Sequence, residues 1–323
     1  MGHGGATVAA TSAASVRPVS SEVRSGPFPF IVACGRSGTT LLRAMLERGG
    51  EIAIPPESYF PVSLAQRHTR GAFEPAPFTA ELAANARFRE WGVPAADVSE
   101  AGSFAEAVRT VYAAYAHAHG APRYGDKTPP FVLHMDLLAE LFPEARFVHV
   151  IRDARDVARS LVATSFGPTG IARAAEIWTR RVSRGRASGA RLGDGRYLEV
   201  RYEALVSRPE AVLREICTLT QIGFSEEMLR PELGATTVPE RERAHHANLT
   251  RPLTKGLRDW RRDMPDTEVA VVEAVAGDLL NELGYDRRYP RVPSLARGRA
   301  AVSRAGSAVA RTTRRTARRV TNR

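Results

Sequence analysis

Short apolar runs alternate with longer amphipathic segments along the middle of the chain. Four runs have the length and composition of buried strands, at 28–34, 51–54, 146–151 and 197–200. Helices are predicted for 41–46, 78–120, from Pro129 or Pro130 to 141, from 154 onward, and for 172–190, 210–220 and 265–283. Strands that alternate with helices favour a parallel sheet with helices on both faces. The pattern therefore predicts an α/β fold in one domain of about 260 residues.

The two ends of the chain differ in composition from this middle part. Residues 1–26 are rich in Ala, Ser, Gly and Val, which predicts a disordered leader and not a signal peptide. Residues 290–323 combine Arg with small residues and predict a basic, disordered tail. Between Arg287 and Arg323 there are twelve Arg and no acidic residue, which accounts for the formal net charge of +11. The domain is thus expected over 27–289, and the basicity says little about its chemistry.

Cysteine and lysine are both rare in this chain. Cys34 and Cys217 offer neither a disulfide framework nor a metal-ligand spacing, so we expect a cytoplasmic protein without a metal site. Lys127 and Lys255 are the two Lys among 46 basic residues. Because an ammonium is compact and a guanidinium is a planar fork, these positions indicate places where the fork does not fit. No window approaches the ~18 consecutive apolar residues of a membrane span.

The first strand leads into a loop that suits a phosphate. Gly35-Arg-Ser-Gly-Thr-Thr40 lies between this strand and a helix, where backbone N–H groups and the helix N-terminus attract an anion. A P-loop kinase or NTPase needs G-x-x-x-x-G-K-[ST], but Ala33 stands in place of the first Gly and Thr39 in place of the Lys. The loop predicts a phosphate site that differs from one for a β/γ-phosphate with Mg²⁺. A tight turn without a ligand is the alternative.

A second basic segment follows the strand at 146–151. Arg152 ends this strand, and Ser160 lies about two turns into the next helix. Ligands of open α/β sheets bind at the carboxyl ends of the strands, and a guanidinium with a hydroxyl suits a second phosphate. The alternative is that Arg152-Asp153 and Arg155-Asp156 are ordinary charges at a helix start.

Together the two segments resemble the sulfotransferases that use 3′-phosphoadenosine-5′-phosphosulfate (PAPS), most closely the tyrosylprotein and bacterial branches. The similarity extends from about Phe28 to Tyr289. It implies transfer of a sulfuryl group from PAPS to an acceptor hydroxyl, with release of adenosine 3′,5′-bisphosphate (PAP). The resemblance assigns the 5′ end of the donor to Arg36, Ser37, Gly38, Thr39 and Thr40, and the 3′-phosphate to Arg152 and Ser160.

Further residues carry over from the same resemblance. Glu57, in Pro55-Pro-Glu-Ser58, is similar to the catalytic Glu of the tyrosylprotein branch. Lys127, in Gly125-Asp-Lys-Thr-Pro129, is similar to a Lys near the bridging oxygen of the donor. Tyr202, in Arg201-Tyr-Glu203, resembles a Tyr near the nucleotide.

A contact to the 3′-phosphate is also implied near the end of the domain. Lys255-Gly-Leu-Arg-Asp-Trp260 resembles a stretch that closes over this phosphate in the cytosolic members, but it is one residue shorter. Lys255 is the expected contact, with Arg251 and Arg258 as alternatives.

The implied reaction is an in-line displacement at sulfur. It needs a base for the acceptor proton, a cation for the leaving oxygen and rigid positioning. Glu57 is the expected base, and Lys127 and Arg36 are the expected cations. Glu57 has an alternative as a helix-start carboxylate after Pro55-Pro56. His149 is expected to be a core histidine, and His245-His246 a loop near the acceptor.

Two other functions fit parts of the sequence. A P-loop kinase or NTPase shares the fold but needs the missing Lys. A binder of nucleic acid or of an anionic membrane surface would act through the Arg-rich tail, which has few aromatic residues to stack on bases. The sequence names no acceptor class, so protein tyrosine, sugar, lipid and natural-product hydroxyls stay open, and no nucleic acid is required.

Overall fold

The computed structural model describes residues 26–165, 167–233 and 259–303. Its centre is a four-stranded parallel sheet in the order β4-β1-β5-β6. These strands are β1 (Phe28–Ala33), β4 (Asp126–Lys127), β5 (Ala145–Ile151) and β6 (Tyr197–Arg201). A separate parallel pair joins β2 (Ile52–Ala53) to β3 (Arg123–Tyr124).

Helices connect and cover the strands. Their bounds are α1 Thr39–Arg48, α2 Phe60–Ser63, α3 Ala65–His68, α4 Pro75–Ala84, α5 Ala86–Arg89, α6 Phe104–Ala118, α7 Met135–Leu141, α8 Ala154–Val162, α9 Ile171–Leu192, α10 Tyr202–Ser207, α11 Pro209–Thr220, α12 Trp260–Asp263 and α13 Asp266–Glu282. Short 3₁₀ turns lie at Pro129–Leu133, Glu226–Leu229 and Pro231–Leu233, and a last helix spans 294–303.

Alternate side chains of β1 enter two different cores. Phe28 and Phe30 belong to an aromatic core that includes Tyr112 of α6. Ile31 and Ala33 belong to a second core that α1 and α11 cover. This alternation follows from the period of two along a strand. The predicted α/β fold, with a parallel sheet between helices, is therefore confirmed.

His149 of β5 is a core histidine, as expected. Its ring is fully buried, and Nδ1 lies 2.7 Å from the hydroxyl of Tyr197. Burial, with a smaller contribution from the charge of Arg186, lowers the pKa of His149 to about 3. The ring is thus neutral and has no part in acid–base chemistry at physiological pH.

The single helical segment predicted for 78–120 is wrong in its middle. Asn85 has an extended backbone, with ψ 115°, and its side chain caps α5 by accepting hydrogen bonds from the N–H groups of Arg87 and Phe88. Gly92 adopts a left-handed conformation with φ 70°. Helix α6 begins only after Ser103, whose hydroxyl accepts from the N–H of Glu106. Capping residues therefore divide a segment that apolar periodicity alone makes continuous.

The first part of the predicted tail is helical and packed. Ala296 and Ala300 of the helix over 294–303 are 5% and 1% exposed, and Ala296 packs against Ala270 and Val271 of α13. Residues 1–25 and 304–323 lie outside the described part of the chain, so the disordered leader and tail stay predictions. Within the described residues, no helix combines the length and apolar character needed to cross a membrane.

Candidate active site

The phosphate loop presents the start of α1 to the carboxyl edge of the sheet. Gly38 precedes α1 with φ 93°, and Arg36 is also left-handed with φ 73°. Among the described residues no side chain caps α1, and the first turn of α1 contains no acidic residue. The positive end of the helix dipole is therefore directed at a place where an anion would be stabilised.

The hydroxyl of Ser37 fixes the shape of this loop. It donates a hydrogen bond of 2.6 Å to the carbonyl of Cys34, and Ser37, Thr39 and Thr40 are all buried. Burial raises the pKa of the Cys34 thiol to about 11, against the weaker opposing effect of Arg181. Cys34 is thus a packed thiol and not a nucleophile.

The two predicted phosphate segments meet in space. Arg36 Nε donates to Ser160 Oγ at 3.1 Å, although 124 residues separate them. Ser160 lies on α8, which follows β5, and Arg36 lies in the loop after β1. Because β1 and β5 are neighbours in the sheet, both segments reach the same edge.

Tyr202 joins the second segment to the first. The guanidinium of Arg152 lies 4.4 Å from the centroid of the Tyr202 ring. The same ring lies close to the first segment, because a Cβ atom added to Gly38 would lie 2.4 Å from Cδ2 of Tyr202. A side chain at Gly38 would therefore collide with the ring, so the close approach requires glycine. The structure brings together Arg36, Gly38, Arg152, Ser160 and Tyr202.

Asp156 lies between Arg152 and the segment that leads into α12. Its Oδ2 is 3.4 Å from Nη2 of Arg152, and its Oδ1 accepts a hydrogen bond of 2.9 Å from the N–H of Trp260. Burial raises the pKa of Asp156 to about 6, with Arg152 opposing the rise and Asp153 adding to it. This group therefore titrates near neutral pH beside the predicted 3′-phosphate site.

Helix α8 is anchored by charges for which the sequence leaves open the alternative of ordinary helix-start residues. That alternative is correct for Asp153, which caps α8 by accepting a 2.9 Å hydrogen bond from the N–H of Arg155. Arg155 is fully buried and also pairs with Glu273 of α13 at 2.7 Å, while its guanidinium lies 3.7 Å from the Trp260 ring centroid. The sequence could not show this role, because Glu273 is 118 residues away.

Trp178 supports the same region from α9. Its indole Nε1 donates a 2.9 Å hydrogen bond to the backbone carbonyl of Arg152, and its ring is fully buried. The ring therefore packs the core, and the indole N–H fixes the backbone at the end of β5.

Some predicted residues fall on parts of the chain that are not described. Lys255 and its alternatives Arg251 and Arg258 lie outside the described residues, as do His245 and His246. The hydrogen bond from the N–H of Trp260, at the start of α12, to Asp156 of α8 places the end of the Lys255–Trp260 segment beside the predicted 3′-phosphate site. Which of the three basic residues contacts this phosphate stays a prediction.

Glu57 and Lys127 form an ion pair at the edge of the sheet. Lys127 Nζ lies 3.1 Å from Glu57 Oε1, and the hydroxyl of Tyr59 donates to Glu57 Oε2 at 2.7 Å. The Lys127 side chain is 3% exposed and that of Glu57 16%. Burial alone would raise the pKa of Glu57, but the charge of Lys127 and the hydrogen bonds from Tyr59 and Lys127 lower it overall. Glu57 is therefore a carboxylate.

The contacts of Glu57 differ from those of a helix-start carboxylate. Helix α2 begins at Phe60 and has no acidic residue in its first turn. Glu57 precedes it and accepts its hydrogen bonds from the side chains of Tyr59 and Lys127. The carboxylate thus lies across the gap between two chain segments and faces the ammonium group.

Strand β4 places Lys127 next to β1 in the central sheet. Lys127 is paired with Ile31 of β1, the strand that continues into that loop. The sequence pattern missed β4 because a two-residue strand is too short to show periodicity. The resemblance nevertheless names Lys127, and its role stays a prediction.

Comparisons with known proteins show which proteins this chain is similar to. A protein-tyrosine sulfotransferase A of Caenorhabditis elegans is 27% identical over 287 residues, which cover 84% of this chain and 70% of that protein. A protein-tyrosine sulfotransferase of Drosophila melanogaster is 24% identical, with 81% of this chain matching 52% of that protein, so this chain spans about half of its length. The sulfotransferase domain of a Synechococcus olefin synthase superposes with a TM-score of 0.58 at 24% identity, over 82% of this chain and 98% of that domain, and shares the fold. The family model described as "Sulfotransferase family" matches residues 27–226, and the chain belongs to this family.

Proposed function

We propose that this protein transfers a sulfuryl group from PAPS to an acceptor hydroxyl and releases PAP. The observation that carries the proposal is the contact between Arg36 and Ser160. It joins a helix-start phosphate loop to a second basic segment in one site, which is the arrangement that a ligand with two separate phosphates requires.

The residues of the site suit this donor. The start of α1, with Arg36, Ser37, Thr39 and Thr40, offers the positive dipole, a cation and buried polar groups for the 5′ end. Arg152 and Ser160 offer a guanidinium and a hydroxyl for the 3′-phosphate. Tyr202 offers an aromatic surface between the two parts. Lys255 is the proposed further contact.

The remaining groups divide the work of the transfer. PAPS supplies an activated sulfuryl group. Glu57 takes the proton of the acceptor hydroxyl, whose oxygen forms a bond to sulfur while the bond from sulfur to the 5′-phosphate oxygen breaks. Lys127 and Arg36 stabilise the negative charge that develops on that leaving oxygen. The proton ends on Glu57, the sulfuryl group on the acceptor and the electron pair on PAP.

This proposal needs no divalent cation. The donor carries a single phosphate at its 5′ end, so there is no β/γ-phosphate pair for Mg²⁺ to bridge. The loop agrees with this chemistry because Thr39 stands where a P-loop kinase has its Lys.

The names of the relatives suggest the acceptor to try first. The Caenorhabditis elegans and Drosophila melanogaster proteins are named protein-tyrosine sulfotransferases. We therefore propose a tyrosine-containing peptide as the first acceptor, with p-nitrophenol as a small activated phenol.

The test uses the full chain and isotopically labelled PAPS. Mass spectrometry should detect PAP together with a labelled sulfate ester of an acceptor, and calorimetry should show tighter binding of PAP than of AMP, which lacks the 3′-phosphate. Equal affinity for PAP and AMP would contradict the proposed donor. Phosphoryl transfer from ATP with Mg²⁺, without any transfer from PAPS, would favour the kinase alternative.

A further inference from the structure

A buried carboxyl group lies directly behind the Glu57–Lys127 pair. Asp126 is fully buried, and its Oδ2 accepts hydrogen bonds from the hydroxyls of Tyr112 at 2.6 Å, Ser58 at 2.7 Å and Thr128 at 3.2 Å. The side chains of these three partners are also fully inside the protein. We call these four residues the Asp126 network.

The network connects the two chain segments that carry the ion pair. Ser58 follows Glu57 in the loop before α2, and Asp126 and Thr128 flank Lys127. A further hydrogen bond of 3.0 Å runs from the N–H of Ser58 to Oγ1 of Thr128. Each group of the ion pair is therefore covalently next to a residue of the network.

Tyr112 attaches the network to a rigid element. It lies on α6 in the aromatic core, where its ring contacts Phe28 of β1 with 4.9 Å between centroids. The hydroxyl of Tyr112 thus holds Asp126 in place from the centre of the fold.

A buried carboxyl group is a costly way to join two loops. Its Oδ1 has no hydrogen-bond partner among the described residues, and burial raises the pKa of Asp126 to about 6, against the lowering effect of the three hydroxyls and Lys127. Well-packed apolar side chains would join the loops at a lower cost in desolvation. A directional network has one advantage over apolar packing, because it fixes the relative position of the segments that it links.

We propose that the Asp126 network positions the Glu57 carboxylate against the Lys127 ammonium, so that the base and the cation have the relative position that sulfuryl transfer requires. The inference rests on the function proposed above. Asp126, Ser58, Thr128 and Tyr112 contact none of the reacting atoms in this account. They act through the two residues beside them.

The test compares three variants that remove parts of the network. Tyr112→Phe and Ser58→Ala each delete one hydroxyl, and Asp126→Asn keeps the shape of the side chain without its charge. Tyr197→Phe is the matched control, since it deletes a hydroxyl that is hydrogen-bonded to His149 in the core. PAP affinity, kcat, KM, melting temperature and the pH profile of kcat are measured for each protein with PAPS and p-nitrophenol.

The network variants should bind PAP normally and react slowly. We expect kcat to fall about 10- to 100-fold, the scale for a small misplacement of reacting groups. The acidic limb of the pH profile should also move to higher pH. Lys127, Tyr59 and Arg87 face Glu57 and lower its pKa, and a displaced Lys127 lowers it less. Tyr197→Phe should lower the melting temperature without changing kcat or the profile.

The opposite result is equally clear. If the network variants lose stability as Tyr197→Phe does, while kcat and the acidic limb stay at the wild-type values, the network is structural and the proposal is wrong. Should Asp126→Asn fail to fold, the two hydroxyl deletions decide. Glu57→Gln in the same assay separates the two proposals. Normal turnover of Glu57→Gln overturns the catalytic role itself, whereas slow Glu57→Gln beside fast network variants overturns only the positioning role.

Discussion

Lys127 Nζ lies 3.1 Å from Oε1 of Glu57, so the proposed cation and the proposed base are paired with each other. The pair is largely buried, where Coulomb attraction is stronger than in water. Lys127 therefore keeps Glu57 ionised before the reaction. As negative charge develops on the leaving oxygen, the Lys127 ammonium gains a second anionic partner. Its attraction to Glu57 then weakens while the Glu57 carboxylate accepts the proton of the acceptor hydroxyl.

Replacement of Lys127 should slow turnover and change its pH dependence. In Lys127→Met, kcat should fall ~10²–10³-fold, the range for loss of one group that stabilises a developing oxyanion. Burial is the largest influence on the pKa of Glu57 and raises it, with Lys127 the first opposing influence. The acidic limb of kcat should therefore shift to higher pH in this variant.

Lys127→Arg is the matched control for charge. The variant keeps the positive charge, so the acidic limb of kcat should stay at the pH of the wild type. A planar guanidinium is nevertheless a poor fit at this position, because the Lys127 side chain is only 3% exposed. We expect Lys127→Arg to turn over slowly, with the acidic limb of its pH profile unshifted from that of the wild type. Full activity of Lys127→Arg would show that charge alone is sufficient at this position.

Removal of the Arg152 guanidinium should weaken PAP binding selectively. A hydrogen bond to a charged group contributes about 1.5–3 kcal/mol, so the Kd for PAP should rise about 10- to 100-fold in Arg152→Met. Adenosine 5′-phosphosulfate lacks the 3′-phosphate and should bind almost as before. Arg159→Met is the control, because Arg159 lies on α8, the helix that follows Arg152, but is 43% exposed and pairs with Asp263. If calorimetry shows equal losses of affinity for both nucleotides, Arg152 does not contact the 3′-phosphate.

PAP binding should be accompanied by proton uptake at Asp156. The pKa of this group is already about 6 because of burial, and Asp153 and Glu203 oppose its ionisation while Arg152 favours it. A phosphate that engages Arg152 brings further negative charge and raises this pKa again. The affinity for PAP should thus fall as pH rises from 6 to 8, by more than the titration of the phosphate itself accounts for.

Calorimetry in buffers of different ionisation enthalpy measures this uptake. Asp156→Asn can still accept the hydrogen bond from Trp260 but cannot take up a proton, so the variant separates the titration of Asp156 from its hydrogen bond. The difference in proton uptake between the wild type and Asp156→Asn should be positive near pH 6.5. No difference would show that the 3′-phosphate binds away from Asp156.

Two truncations should have different effects on stability. Ending the chain after Tyr289 removes Ala296 and Ala300 and exposes Ala270 and Val271 of α13. We expect the melting temperature to fall by a few degrees, since burial of this apolar surface is lost. Ending the chain after residue 303 keeps the helix and should leave melting temperature and turnover unchanged. If the shorter chain melts like the full one, the domain ends at 289 as its composition predicts.

Much of the frame could be predicted because it depends on local patterns. Strands β1, β5 and β6 contain apolar runs long enough to recognise, and the loop at 35–40 lies between a strand and a helix. The placement of Arg36 and Arg152 at one edge then follows from the parallel sheet.

The missed features depend on distant partners or on very short elements. Arg155 looks like any charge at a helix start until Glu273 pairs with it, and Asp126 gains its hydroxyl partners only when α6 and the loop before α2 pack together. Strand β4 has two residues and therefore no period. The division of 78–120 was set by the cap at Asn85, whose effect outweighs the apolar pattern.

The most direct measurement is the rate of PAP release from PAPS by the wild type and by Glu57→Gln, with the same acceptor and with PAP affinity measured in parallel. Glu57→Gln keeps the shape of the side chain and removes its basicity. We predict unchanged PAP affinity and a turnover of a tyrosine peptide that is lower by at least ~10²-fold, with a smaller loss for p-nitrophenol, whose proton is more acidic. The part of the acidic limb that reports the ionisation of Glu57 should also disappear. Turnover of Glu57→Gln at the wild-type rate would contradict the account, because the acceptor proton would then be taken by another group.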